Sequence, residues 1–352
     1  MIEHAMVGRA PLQDAAGLRA QTDASAGGAA LVPLTAVDVQ GWRALSERAV
    51  EPNGYYLPGW ELAVNASAPG RTGAFALAAW SDAAPEQLIG LLPVVSMWRA
   101  YKIPLPALVS AHPYGTLSTP LIDRDSAHEA AQRLILRARQ AGARALVLRE
   151  TSTDGPAMRA LMEGLLREGL RPRVLQSHRR ACLDATIDAE TLLRDALGGK
   201  KLKELRRQRR RLAEHGPVRF EAAHGAGEVA AALETFLKLE ASGWKGKRGT
   251  ALIQDAGDAA FIRRATAALA RTGQCEIVVL RAGETPVAAG IVLRHRRRAF
   301  FFKVGVDERF AKFSPGVQLT LELTRHLCAD PSIESADSTA RPDHPMIDPI
   351  WR

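Results

Sequence analysis

Two short apolar runs joined by a turn occur twice in this chain. Phe75-Ala-Leu-Ala-Ala-Trp80 precedes Leu88-Ile-Gly-Leu-Leu92, and Glu276-Ile-Val-Val-Leu280 precedes Val287-Ala-Ala-Gly-Ile291. Runs of this length, bounded by turn residues, read as strands of a hairpin. The second strand of each pair carries a glycine near the same point, Gly90 and Gly290. A strand glycine marks a bulge or a close backbone approach. Each hairpin is followed by a helical pattern and a further strand: 126–140 then 144–149, and 315–328 then 333–336. A chain of this order must bury two sheets under helices. The expected fold is α/β (α+β): two similar domains, each with a mixed, mostly antiparallel sheet flanked by helices. The 352 residues allow two such units. They are expected at 31–185 and 186–352, behind a disordered leader at 1–30.

That leader has no apolar core of the kind a secretory signal needs. No run of about 18 uncharged apolar residues exists to cross a bilayer. The three cysteines, Cys182, Cys275 and Cys328, lie far apart and suit a reducing, cytoplasmic setting. Around the hairpins, helices are expected at Trp42–Ala49, Pro58–Val64, 156–168, 192–214, 229–239 and 256–271. The third strand of the second meander falls at 299–306. The proline-rich stretch 101–120 reads as irregular. Strands at 173–176 and 181–186 close the first half, and 242–249 is a Gly/Lys-rich break.

Charge is concentrated. The chain has 47 Lys and Arg against 38 Asp and Glu, a net charge of +9. Arg194 to Arg211 holds nine basic and two acidic residues, so this segment carries +7 of that total. Local basicity describes one face, not a polycation. At 100° per residue Leu202, Leu205 and Leu212 share one side of a helix, while Lys203, Arg207 and Arg210 occupy the other. Such a run is ordinarily a solvated face. Its density, and the fit of Arg to phosphate, favour an anionic acceptor or carrier. A nucleotide-sugar, a lipid-linked diphosphate, tRNA and the membrane surface all qualify. No helix-turn-helix partner accompanies it, so DNA is excluded. Trp244, Lys245, Lys247 and Arg248 form a second patch, readable as a loop over the acceptor or as a plain polar connection.

A strand meander, a helix opened by a tight turn and one more strand is the order of the GNAT acyltransferase fold. The segment Phe302-Lys-Val-Gly-Val-Asp-Glu-Arg-Phe-Ala-Lys-Phe-Ser-Pro-Gly-Val317 resembles GNAT-type acyltransferases associated with bacterial cellulose and exopolysaccharide biosynthesis. These are similar in turn to the double-GNAT Fem-type ligases of peptidoglycan synthesis. Trp244-Lys-Gly-Lys-Arg-Gly249, the basic helix from Lys200, and Asp337-Ser-Thr-Ala-Arg-Pro-Asp-His344 with Trp351 extend the resemblance over residues 200–352. It implies acyl transfer, with acetyl-CoA as donor. For Fem-type relatives it implies tRNA or a nucleotide-linked precursor nearby. The usual acyl-CoA loop has two glycine-type positions. Here the turn Lys312-Phe-Ser-Pro-Gly316 has one.

The residues permit this chemistry. Ser314 suits an N-cap, Pro315 suits the first helical turn, and Gly316 lets a ligand reach the backbone. A helix start with free N–H groups favours an anion. Lys312, Phe313, Ser314, Gly316 and Val317 are therefore the expected cofactor contacts, although the same residues also describe a well-capped helix. Acyl transfer further needs a base and donors to an oxyanion. Asp307, Asp337 and His344 are the candidate bases. Lys303, directly after three phenylalanines, needs a partner, and Asp307 is the expected one, either as an ion pair at the sheet edge or as a catalytic couple. Tyr114, in the loop His112-Pro-Tyr-Gly115, lines an acceptor cleft between the domains or simply packs there. No metal-ligand spacing is present.

Three functions follow. The first is acyl transfer from acyl-CoA to an amine or hydroxyl of a cell-envelope saccharide or precursor. The second is Fem-type transfer from aminoacyl-tRNA. The third is a non-catalytic module of a polysaccharide synthase complex. Partners include a saccharide or other anionic acceptor. The protein is expected in the cytoplasm or at the inner face of the membrane.

Overall fold

The computed structural model describes residues 30–351; the expected leader thus lies outside the described residues, Ala30 excepted. The first sheet contains β1 (Val32–Pro33), β2 (Phe75–Trp80), β3 (Leu88–Ser96), β4 (Ala107–Ser110), β5 (Leu121–Ile122) and β6 (Ala145–Val147). Its order is β1-β2-β3-β4-β6, with β5 also paired to β3. Only β4 and β6 run parallel. The helices of this half are α1 (Val39–Arg48), α2 (Pro58–Ser67), α3 (Met97–Tyr101), α4 (Ala127–Gln140) and α5 (Pro156–Arg167).

The second sheet contains β7 (Cys182–Asp184), β8 (Val218–Ala223), β9 (Cys275–Ala282), β10 (Thr285–His295), β11 (Arg298–Val306) and β12 (Ser335–Asp337). Its order is β7-β12-β11-β10-β9-β8, and only β11 and β12 are parallel. The helices are α6 (Ala189–Leu212), α7 (Ala226–Ser242), α8 (Trp244–Lys247), α9 (Ala256–Ala270) and α10 (Pro315–Ala329). Each sheet therefore consists of an antiparallel meander, a helix and a parallel strand.

The paired glycines explain this repeat. A Cβ on Gly90 would stand 3.1 Å from the Ala79 Cβ and 3.3 Å from Leu134 of α4. A Cβ on Gly290 would stand 2.6 Å from the Phe301 ring and 3.4 Å from Leu319 of α10. In both halves the glycine lets the following helix press onto the meander. One core lies under the first sheet around Trp42, Leu77, Ile89 and Leu134. Another lies between the second sheet and α6 and α10. A third is shared: Tyr55, Leu57, Trp60 and Leu117 of the first half pack with α7, α9 and Phe300 of the second.

Several expectations need correction. Strand β4 lies inside the stretch read as irregular, where Pro104 and Pro106 hide it. Residues 173–176 form no strand and are exposed. Strand β7, read as closing the first half, pairs with β12 of the second sheet. Helix α6 is broken at Gly198, whose φ of 70° only glycine adopts freely. The 242–249 break contains the helical turn α8. Strand β12 extends to include Asp337, which was read as lying just beyond a strand end.

Candidate active site between the two halves

Strand β11 determines where the chemistry lies. Ile291 pairs with Lys303 but Val292 pairs with Phe301, so Phe302 is an extra residue on β11. Such a bulge disturbs side-chain alternation and re-aims a side chain. Phe300 and Phe302 pack in the shared core, and Phe301 packs on the opposite face. Past the bulge, Lys303 turns to the same face as Phe302 and reaches Glu240 of α7, Nζ to Oε1 3.4 Å.

Glu240 has no exposed side-chain surface. Its Oε1 also accepts from Lys245 Nζ at 3.1 Å, and its Oε2 accepts from the Leu252 N–H at 2.9 Å. One buried carboxylate thus serves two ammonium groups, leaving one positive charge in excess. Burial holds the Lys303 ammonium below the ordinary lysine range, against the opposing pull of Glu240.

The first half contributes the opposite wall. Tyr114 stacks on Phe261 of α9 at 4.7 Å, and Lys303 Nζ is 5.7 Å from the Tyr114 ring and from the Phe302 ring. The Tyr114 hydroxyl donates to Asp258 Oδ2 at 2.6 Å, while Asp258 Oδ1 is buried and without a hydrogen bond. The Arg71 guanidinium covers the other side of the Tyr114 ring at 4.4 Å. Tyr114 itself has φ of 60°, a costly value for a tyrosine. It is held there by its N–H, which donates to His112 Nδ1 at 3.0 Å. Burial lowers the His112 pKa to about 4, so the ring stays a neutral acceptor.

The structure therefore brings Tyr114, Lys303 and Lys245 together. Trp244 stands half exposed beside them, with Arg248 5.2 Å from its ring. Glu240, Asp258 and Arg71 are members that the sequence reading missed. Glu240 carried a signal, because it continues the buried stripe Val229, Leu233, Phe236, Leu237 along α7. Asp258 carried none beyond that of an acidic residue in a first helical turn.

The other expected residues lie elsewhere. Asp307 is not the partner of Lys303: both of its oxygens accept from Arg309, at 2.7–3.1 Å, and that guanidinium holds the carboxyl below its usual range. Asp337 is buried, with Oδ2 bound to Arg180 (2.7 Å) and Arg298 (3.1 Å) and Oδ1 to the Thr339 N–H (2.8 Å). It secures the interface and offers no free oxygen as a base. His344 lies in the C-terminal loop, its N–H bound to Asp348 and its Nδ1 buried without a hydrogen bond.

At the start of α10, Ser314 is left-handed (φ 52°) and its side chain makes no capping bond, contrary to expectation. The open side of Gly316 is filled from within the chain: a Cβ there would lie 2.6 Å from Met346 Sδ and 3.2 Å from Val306. Phe313 is buried, Val317 packs in the second-half core, and Lys312 lies 4.8 Å from the Phe313 ring.

Helix α6 behaves as its pattern requires. Leu202, Leu205 and Leu212 are buried, and Lys203, Arg207 and Arg210 are exposed. A groove of about 840 Å³ runs past Lys200, Lys203, Arg207 and Arg210. A second, of about 460 Å³, runs past Arg206, Arg209 and Arg210. Finally, His224, Glu276 and His326 meet despite the lack of any metal-type spacing in the sequence.

Comparison with known proteins agrees with this architecture. Residues 199–342 match the family described as the acetyltransferase (GNAT) domain, from α6 to just past β12. No curated protein matches. Among solved structures, FemX is similar at a TM-score of 0.57 and 12% identity, over 90% of this chain and 92% of that one. A C-terminal DUF2156 domain of a protein named as a lysylphosphatidylglycerol synthetase, from Agrobacterium fabrum, is similar at 0.52 and 17%, over 85% and 76%. At such identities the likeness is one of fold. The fold is a tandem of two GNAT-like domains.

Proposed function

We propose that this protein is an aminoacyltransferase. It moves an aminoacyl group from aminoacyl-tRNA to an amine or hydroxyl of an anionic cell-envelope precursor. The observation that carries this reading is the exposed cationic face of α6, with two grooves that share Arg210, in the same half as Lys303. A CoA diphosphate needs the N–H groups at the start of α10, and there Met346 packs against the Cα of Gly316 and Ser314 makes no capping bond. A polynucleotide needs only spaced cations. The names of the two structural relatives, FemX and a lysylphosphatidylglycerol synthetase, fit the same chemistry.

In this reading the acceptor enters between Tyr114 and Trp244. Its nitrogen or oxygen attacks the ester carbonyl and loses its proton to the Asp258 carboxylate. The carbonyl electron pair moves to oxygen, beside the Lys303 ammonium. Collapse breaks the bond to the ribose oxygen, which takes a proton and leaves. An anionic acceptor is served by Arg71 and Lys245.

A feature of the first half supports an acceptor held at a lipid surface. Trp98, Tyr101, Ile103 and Leu105 are exposed, with Arg99 and Lys102 among them. Aromatic and aliphatic residues interleaved with cations suit an anionic membrane face. No helix among the described residues is long and apolar enough to cross a membrane.

The second reading, acyl-CoA as donor, is favoured by the acetyltransferase description of the matched family. One comparison separates the two. Total tRNA and acetyl-CoA are titrated against the protein and against Lys203→Glu/Arg207→Glu/Arg210→Glu. The proposal expects salt-dependent tRNA binding that falls at least tenfold in the variant, and no acetyl-CoA binding. Micromolar acetyl-CoA binding with no tRNA binding overturns it.

A further inference from the structure

At the far end of α10 from Ser314, three elements bring together a donor set that the proposed reaction does not use. His224 follows β8, Glu276 is the second residue of β9 and His326 lies in the last turn of α10. His224 Nδ1 is 3.3 Å from Glu276 Oε2, and His326 Nε2 is 3.0 Å from the same atom. One ligand atom from each residue lies within 4.8 Å of the others. We propose that His224, Glu276 and His326 form a binding site for a divalent transition-metal ion of the zinc type.

The spacing fits. Four-coordinate zinc with bonds of about 2.0–2.1 Å holds its ligand atoms about 3.3 Å apart. Two imidazoles and a carboxylate select zinc, cobalt or nickel over magnesium and calcium, which prefer oxygen ligands throughout. Three protein ligands leave a fourth position for water.

A second, independent observation points to a missing partner. Glu276 has no exposed side-chain surface, yet its Oε1 is buried without a hydrogen bond. A buried carboxylate oxygen left unpaired calls for a reason, and a cation that takes both oxygens of the carboxylate provides it. The neighbouring Arg294 does not fill this role. It reaches only Oε2, at 3.5 Å, and is drawn away by Asp330 and Ser332. His224 is half exposed, which gives an ion a way in, and Phe220 packs against the His326 ring at 5.6 Å and covers the inner side.

The ion has a structural consequence. It ties the loop entering α7 to β9 and to the end of α10, on the side of the sheet away from Lys303. Its test is therefore independent of the transferase reading. The full chain is stripped with a chelator and titrated calorimetrically with Zn²⁺, with Co²⁺ as a spectroscopic probe. Expected are one Zn²⁺ per chain at micromolar affinity or tighter, a tetrahedral Co²⁺ spectrum, and a raised melting temperature with metal. His224→Ala and His326→Ala should each weaken Zn²⁺ binding at least tenfold, while His128→Ala leaves it unchanged. His224 is the decisive position, because its exposure makes misfolding of that variant an unsuitable explanation. Absence of stoichiometric Zn²⁺ uptake, or uptake equal in parent and His224→Ala, overturns the proposal.

Discussion

At Lys303 two forces oppose one another. Burial favours the neutral amine, and the Glu240 carboxylate 3.4 Å away favours the ammonium. A group so balanced can stabilise a developing oxyanion and release a proton with little rearrangement. Lys303→Met is expected to lower kcat by about 100-fold. Its tRNA affinity and far-UV circular dichroism should match the parent. A variant that keeps full turnover removes Lys303 from the mechanism. Glu240 behaves differently because it acts on structure as well. It is the common partner of two lysines and of the Leu252 N–H. Glu240→Gln leaves both ammonium groups without a counter-charge, which costs about 3 kcal/mol. Urea denaturation measures that loss, and equal midpoints for Glu240→Gln and parent would show the pair to be unimportant to stability.

At the level of elements, visibility in the sequence followed regularity. The two hairpins were legible because apolar residues recur in short runs between turns, and Gly90 and Gly290 marked the close helix contacts. The apolar stripe of α6 was equally plain. Short or irregular elements were not. The four residues of β4 are too few for a period to show. The Phe302 bulge leaves no trace in composition, yet it puts Lys303 on the face of Glu240, while Asp307 is taken by Arg309. Tyr114, Lys245 and Lys303 were legible as types, whereas Asp258 and Arg71 required the docking of two halves that no local pattern records. Helix α3 and the residues after it permit a prediction at this scale. Trp98 and Leu105 are exposed by 46% and 58%. Burying such a side chain in lipid gains about 1.5–3 kcal/mol. Trp98→Ser/Leu105→Ser should therefore weaken binding to anionic phospholipid vesicles at least tenfold in a sedimentation assay. Parent-like binding by the double variant would assign the membrane contact to another surface.

Over the whole molecule, the two halves are joined by buried polar links as well as by the shared core. Tyr55 bonds to Thr339, Tyr114 to Asp258 and Thr116 to the Thr339 carbonyl, and His295 makes two contacts across the boundary. His295 Nδ1 accepts from the Asn53 N–H and its Nε2 lies 3.0 Å from the Ser46 carbonyl, both of the first half. Only a neutral ring with its proton on Nε2 satisfies both. Burial accordingly lowers its pKa to about 4, and the adjacent Arg296 acts in the same direction. The unfolded chain takes up this proton below about pH 6.5, and the folded chain does so only below about 4. Between those values the unfolded state holds more protons, so this group's contribution to stability rises with pH. It is complete above pH 6.5 and is lost as pH falls to 4. His112 behaves alike, with its pKa also near 4. Glu51 acts in reverse: burial raises its pKa to about 7, so its contribution falls as pH rises from 4.5 to 7. The total curve therefore mixes opposing slopes, and a difference between two proteins isolates one group. His295→Gln can keep a donor and an acceptor at the boundary but cannot titrate. The stability of the parent minus that of His295→Gln, from calorimetric melts, should climb between pH 4 and 6.5 by up to about 3 kcal/mol and then stay level. A flat difference over that range would mean that His295 is free to take up a proton in the folded protein, and the boundary would then not depend on its neutral ring.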